Sequence, residues 1–134
     1  MTRTKIIFSR IESLTVLEGL SLFTAKMYRE MQSIEEIVSD TSVDGSIKKQ
    51  IELKKIDNAL KLMQLASIEK RFVTGFMQNN AVELGENEIK IIISGLERIP
   101  KAALALTVKL NKYKNYLKHK EENEMPVIYE TSVV

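Results

Sequence analysis

The chain has no cysteine among its 134 residues. Disulfides, thiolate nucleophiles, redox pairs and cysteine-ligated zinc or iron–sulfur clusters are therefore excluded. It has no tryptophan and a single histidine, His119, so no site can rest on two imidazoles of one chain. Five glycines and two prolines leave few sharp turns, and long uninterrupted elements are expected. A long apolar run is also lacking. The richest, Leu14 to Phe23, is broken by Glu18 and followed by Lys26, well short of the roughly 20 apolar residues of a spanning helix. The opening Met1 to Phe8 is followed at once by Arg10 and Glu12, which interrupt the apolar stretch a signal peptide needs. No membrane span and a cytoplasmic location are the expectation. Charge is scarcely unbalanced, at +2 with a pI near 8.8, so total charge gives no reason to invoke nucleic acid.

What is present is apolar material, 44% of the chain, enough for one domain with its own core. The pattern predicts an all-α fold: an elongated antiparallel bundle of three to four helices over residues 1–120, with an extended tail at 121–134. The first helix runs from Ser9 to Ser39. It opens on a capping box, Ser9-x-x-Glu12, in which each side chain satisfies the other residue's free backbone N–H. Its seam is Leu17, Leu20, Thr24, Met27, Met31, Ile34 and Val38, in steps of three and four, with Val16, Phe23 and Ile37 widening the face. About 30 residues at about 1.5 Å each give a helix of about 45 Å.

Small polar residues from Ser39 to Ser46 turn the chain, with Asp44 or Ser46 capping a second helix over Ile47 to Gln78. That helix carries two apolar faces. Leu53, Ile56, Leu60 and Met63 share one, while Ile47, Ile51, Leu62, Leu65, Phe72 and Phe76 lie nearly opposite. Asn79, Asn80 and Gly85 mark a second connection. Ile89, Ile92, Ile93 and Leu96 follow a helical template; their β-branched character also suits a strand, but no second strand-like segment offers a partner. Pro100 kinks or breaks the third helix, beyond which Ala103, Leu106, Leu110, Tyr113 and Leu117 resume the helical spacing.

Chemistry-bearing patterns are sparse. His119 stands between Lys118 and Lys120 with no adjoining carboxylate, and neither a Glu-x-x-His pair nor a phosphate-cradling glycine loop occurs. The segment from Asp40 to Ile47 resembles the start of an EF-hand calcium loop, with oxygens at Asp40, Ser42 and Asp44, glycine at Gly45 and Ile47 at the eighth position. The resemblance implies calcium, but Ile51 stands where the bidentate glutamate is needed and Lys48 intrudes at the ninth position. An Asp-Gly turn capping a helix accounts for the same residues, and no metal or cofactor is expected.

From Arg98 to Lys120 seven residues are basic and none acidic, with Tyr113 and Tyr116 interleaved. Lysines neutralise phosphates and tyrosines stack on bases. Lys109, Lys112, Lys114, Lys118 and Lys120 are thus the candidates for nucleic-acid or anion binding, although cations also complement the carbonyl end of a helix. The last residues, Ser132-Val133-Val134, resemble a C-terminal PDZ ligand, which implies strand addition to a sheet edge. Met27, Met31, Met63 and Met77 lie on apolar positions, where methionine fills irregular gaps.

The expected function is that of a non-enzymatic helical adaptor, a self-associating component or accessory factor of a larger assembly, since base, nucleophile and oxyanion donor do not cluster at recognisable spacing. A protein partner or a second copy is the expected ligand, with no small-molecule substrate. Leu17, Phe23, Met27, Met31, Leu53 and Leu60 are the candidate contact residues. A nucleic-acid-binding accessory protein using the lysine-rich helix is the alternative.

Overall fold

The computed structural model describes residues 2–38, 44–99 and 104–133, the side chains of Val38 and of residues 123–133 apart. Six elements follow one another: β1 (Arg3–Ile7), α1 (Arg10–Val38), α2 (Gly45–Met77), β2 (Ala81–Gly85), α3 (Glu86–Leu96) and α4 (Leu104–Val133). The fold is mostly helical, broadly as expected, with a small two-stranded sheet that the helical pattern does not include.

The sheet arises from two short stretches that are remote in sequence. In β1, Thr4 and Ile6 turn inward, as does Phe8 just beyond it, while Arg3, Lys5 and Ile7 stay exposed, the period of two that a half-buried strand requires. β2 alternates likewise, with Val82 and Leu84 buried around exposed Glu83. They pair antiparallel, Lys5 opposite Glu83 and Ile6 opposite Val82. An Asn79-Asn80 turn feeds β2 from α2. Asn80 takes a positive φ of 61° and donates its N–H to the Gly75 carbonyl, while the Asn79 side-chain oxygen accepts from the Ala81 N–H. The second connection is therefore a strand.

The capping box forms: the Ser9 N–H donates to Glu12 at 2.9 Å and the Glu12 N–H to the Ser9 hydroxyl at 3.1 Å. Asp44 caps α2 by accepting from the Ser46 N–H. α1 and α2 run antiparallel, since Lys55 reaches Glu35 at one end and Arg10 lies over the Phe76 ring at the other. The Phe8 and Phe72 rings meet at 4.9 Å between centroids and join the sheet to the helices.

The isoleucine-rich run is helical, as its spacing predicts. α3 stops at Leu96, followed by a tight turn through Ile99, so the third and fourth helices are separated by a break. Pro100 itself lies outside the described residues. α4 buries Leu106, Leu110 and Leu117 and packs on α3 and β1. It continues to Val133, where the sequence pattern leads to an extended tail over 121–134.

α1 and α3 cross where Gly19 meets Gly95. A Cβ added to Gly95 would sit 2.8 Å from the Gly19 carbonyl oxygen, and one on Gly19 would sit 3.0 Å from the Gly95 carbonyl. Backbone faces backbone there, so a methyl group can be admitted only by moving a helix. Gly95→Ala is expected to cost about 1–3 kcal/mol by overpacking. Gly45, in the first turn of α2 with open space around it, behaves oppositely: Gly45→Ala gains about 0.4–1 kcal/mol by restricting the unfolded chain. Urea unfolding of the two variants reads both signs.

Candidate functional site

Three of the six candidate contact residues belong to the core or pack against it, and a fourth is half-buried. Phe23 and Met27 are buried, Leu17 packs against the core and Met31 is half-buried. Phe23 is covered on one side by Arg98, whose guanidinium lies 4.6 Å from the ring centroid. Leu20, Phe23, Met27 and Ile34 of the α1 seam are buried within the chain.

Leu53 and Leu60 are different. They stand 62% and 56% exposed on α2, and Ile56 and Met63 between and beyond them are 58% and 69% exposed. Steps of three, four and three place these four side chains on one stripe along the outer side of the helix. On the inner side Leu65 and Phe72 are fully buried, and Ile51, Leu62 and Phe76 are half-buried. Ile47, assigned to the inner side, is instead 48% exposed. Ala59 and Ala66 flank the outer stripe on one side and are exposed. Glu52, Asp57 and Gln64, also exposed, border it as well. The outer stripe is thus an apolar strip with polar margins.

The basic candidates do not make one face. At about 100° per residue, Lys109, Lys112 and Lys120 fall on one flank of α4, and Lys114 and Lys118 about 160° away, beyond the buried line of Leu106, Leu110 and Leu117. Lys109 is engaged internally. Its ammonium donates to the Ile7 carbonyl at 2.7 Å and to Glu12 at 2.9 Å, and it lies 5.1 Å from the centre of the Phe8 ring. Because the Phe8 N–H bonds Asn80 across the sheet, alternation turns the Ile7 carbonyl toward the free edge of β1, and Lys109 satisfies it there. Lys112 lines a shallow groove with Thr4, Tyr113 and Tyr116.

His119 is solvent-facing, and its Nδ1 lies 3.6 Å from Glu122, a neighbour one helical turn on that the sequence reading overlooked. Among the described residues no group of three or more His, Asp or Glu side chains is placed to hold a metal ion. Asp40 to Val43 of the calcium-like loop lie outside the described residues, and the Asp44 carboxylate is occupied in capping α2. No described helix is long and apolar enough to cross a membrane. Sequence reasoning also passed over Ile11 and Leu104, 78% and 75% exposed, because neither falls on a helical seam.

Comparison with family models, curated proteins and solved structures finds no match to this chain.

The contact between Glu12 and Lys109 has a measurable consequence. Partial burial of the Glu12 carboxyl opposes its ionisation, but the Ser9 main-chain N–H, the Lys109 ammonium and the Ser9 hydroxyl together outweigh it and hold its pKa below the ordinary 4.5. A depressed carboxylate pKa contributes stability that is complete above the unfolded value and is lost as pH falls through the folded one. Thermal unfolding between about pH 6 and pH 3 is therefore expected to show a shallower decline for Glu12→Gln than for the parent. Lys109→Met should cost about 1 kcal/mol at neutral pH, through the lost ion pair and the unsatisfied Ile7 carbonyl.

Proposed function

We propose that the chain is a non-enzymatic interaction protein that docks to a protein partner through the outer stripe of α2. The observation that carries this reading is the exposure of Leu53, Ile56, Leu60 and Met63, each more than half open to solvent, on a helix whose opposite side is core. Single exposed apolar residues are ordinary on a protein surface. A run of four at coiled-coil spacing is not, because each successive side chain extends the same strip and the strip accepts the apolar face of another helix. None of these side chains belongs to the buried core, and a role outside the chain accounts for them.

The nucleic-acid alternative is weaker. Lys109, the first of the five candidate lysines, is spent on Ile7 and Glu12, and the remaining four divide between two flanks of α4. A phosphate track needs them in line.

The test places a photo-crosslinking residue at Ile56 or Met63 and, as control, at Lys54, which is exposed on the same helix but away from the stripe. Irradiation in the source cells is expected to give a discrete crosslinked protein species from positions 56 and 63 and none from 54. Equal yields from all three, or none from any, would contradict docking at this surface.

A further inference from the structure

We infer that the outer stripe of α2 pairs with the same stripe of a second copy, running antiparallel about a twofold axis at the level of residue 58. This names the occupant of the docking surface proposed above and rests on that reading.

The spacing of the stripe is palindromic. Leu53 and Met63 lie five residues before and after position 58, and Ile56 and Leu60 lie two residues before and after it. Two copies laid head to tail therefore set Leu53 against the partner's Met63 and Ile56 against its Leu60, and every large apolar residue of one strip meets one of the other. A shift by one heptad in either direction breaks this: it sets Leu53 against Lys70, or Leu60 against Lys49. An isologous contact is self-complementary in this sense, since each residue and its partner exchange roles across the axis.

The margins favour the same orientation. In a parallel pair in register, a flanking residue approaches the one five positions on in the other helix. Here that sets Glu52 against Asp57, twice, at the centre of the contact. The antiparallel pair brings like flanks together instead, setting Glu52 opposite Ala66 and leaving one like-charged pair, Asp57 with its own copy, in place of two. Ala59 and Ala66 lie on one flank, where their small side chains let the two helices approach to the close end of the usual 8–10 Å separation. The like charges nearest the axis are then the two Asp57 side chains, on the other flank.

Eight large apolar side chains with four alanines cover on the order of 1,000 Å², the lower limit for a specific interface. Together with the Asp57 pair, this makes a weak dimer, with a Kd of roughly tens of micromolar rather than nanomolar.

The absence of native cysteine makes the geometry directly readable. Single cysteines are introduced at Leu53, Ala59, Met63 and Lys54, and each protein is oxidised at about 100 µM and separated without reductant; this is well above the expected Kd. Ala59→Cys, one residue from the axis, is expected to form a covalent dimer. Leu53→Cys alone is not, because its partner copy lies about ten residues and about 15 Å away, beyond disulfide reach. An equimolar mixture of Leu53→Cys and Met63→Cys is expected to crosslink. Dimer formation by Leu53→Cys alone, equal crosslinking by Lys54→Cys, or no crosslinking at Ala59 and in the mixture would overturn the pairing. Sedimentation equilibrium gives a second reading: the parent's average mass rises with concentration, and Leu60→Glu weakens the association at least about tenfold. A parent that stays monomeric at 100 µM overturns the inference. Docking itself survives that result if photo-crosslinking at Ile56 captures a different protein, and falls with it if nothing is captured.

Discussion

The fold depends on one constraint: the two long helices must be held antiparallel by contacts along a single side of each. A two-helix hairpin cannot enclose a core, so the inner seam of α2, with Leu65, Ile68 and Phe72, needs more than α1 to exclude water. The sheet and α3 supply it. β1 precedes α1 and β2 follows α2, so pairing the strands closes the open end of the hairpin. The same pairing brings Phe8 onto Phe72. α3 then lies across α1 at the Gly19–Gly95 contact, where the absence of side chains brings the two backbones together.

Polar contacts secure the same closure. Glu88 on α3 pairs with Arg3 of β1 and Arg71 of α2 and accepts the Gly85 N–H at 2.9 Å, so one carboxylate ties four elements. Arg71 also donates to the Glu83 carbonyl on the free edge of β2, as Lys109 does to Ile7 on the free edge of β1. Both exposed edges of a small sheet are thereby partly satisfied by cations from neighbouring helices, which discourages further strand pairing.

Local patterns were legible in the sequence and remote ones were not. The Ser9–Glu12 box, the length of both long helices and the two faces of α2 all depend on residues within one or two turns of one another, and periodicity records them. The sheet joins residue 3 to residue 85, and each strand is only five residues long, too short for alternation to compete with the adjoining helical signal. Phe23 reads as a contact residue in the sequence because its cover, Arg98, comes from beyond α3. The lysines of α4 looked like one basic segment because counting along a chain does not separate opposite flanks, and the use of Lys109 depends on a strand edge more than one hundred residues earlier. Gly19 and Gly95 did carry a signal, since an isolated glycine within a helical pattern often marks close backbone approach.

The two faces of α2 connect fold to function. If the inner face holds the domain together and the outer face is kept for a partner, substitutions on the two must have opposite consequences for the isolated chain. The most direct measurement is urea unfolding of the Ile56→Gln/Leu60→Gln double variant beside Leu65→Ala, at about 1 µM protein so that association contributes little. The double variant should unfold within about 1 kcal/mol of the parent, as exposed positions do, while Leu65→Ala loses about 2–5 kcal/mol. A double variant as damaged as the core variant would mean that the outer stripe is part of the domain's own core, and would contradict the account.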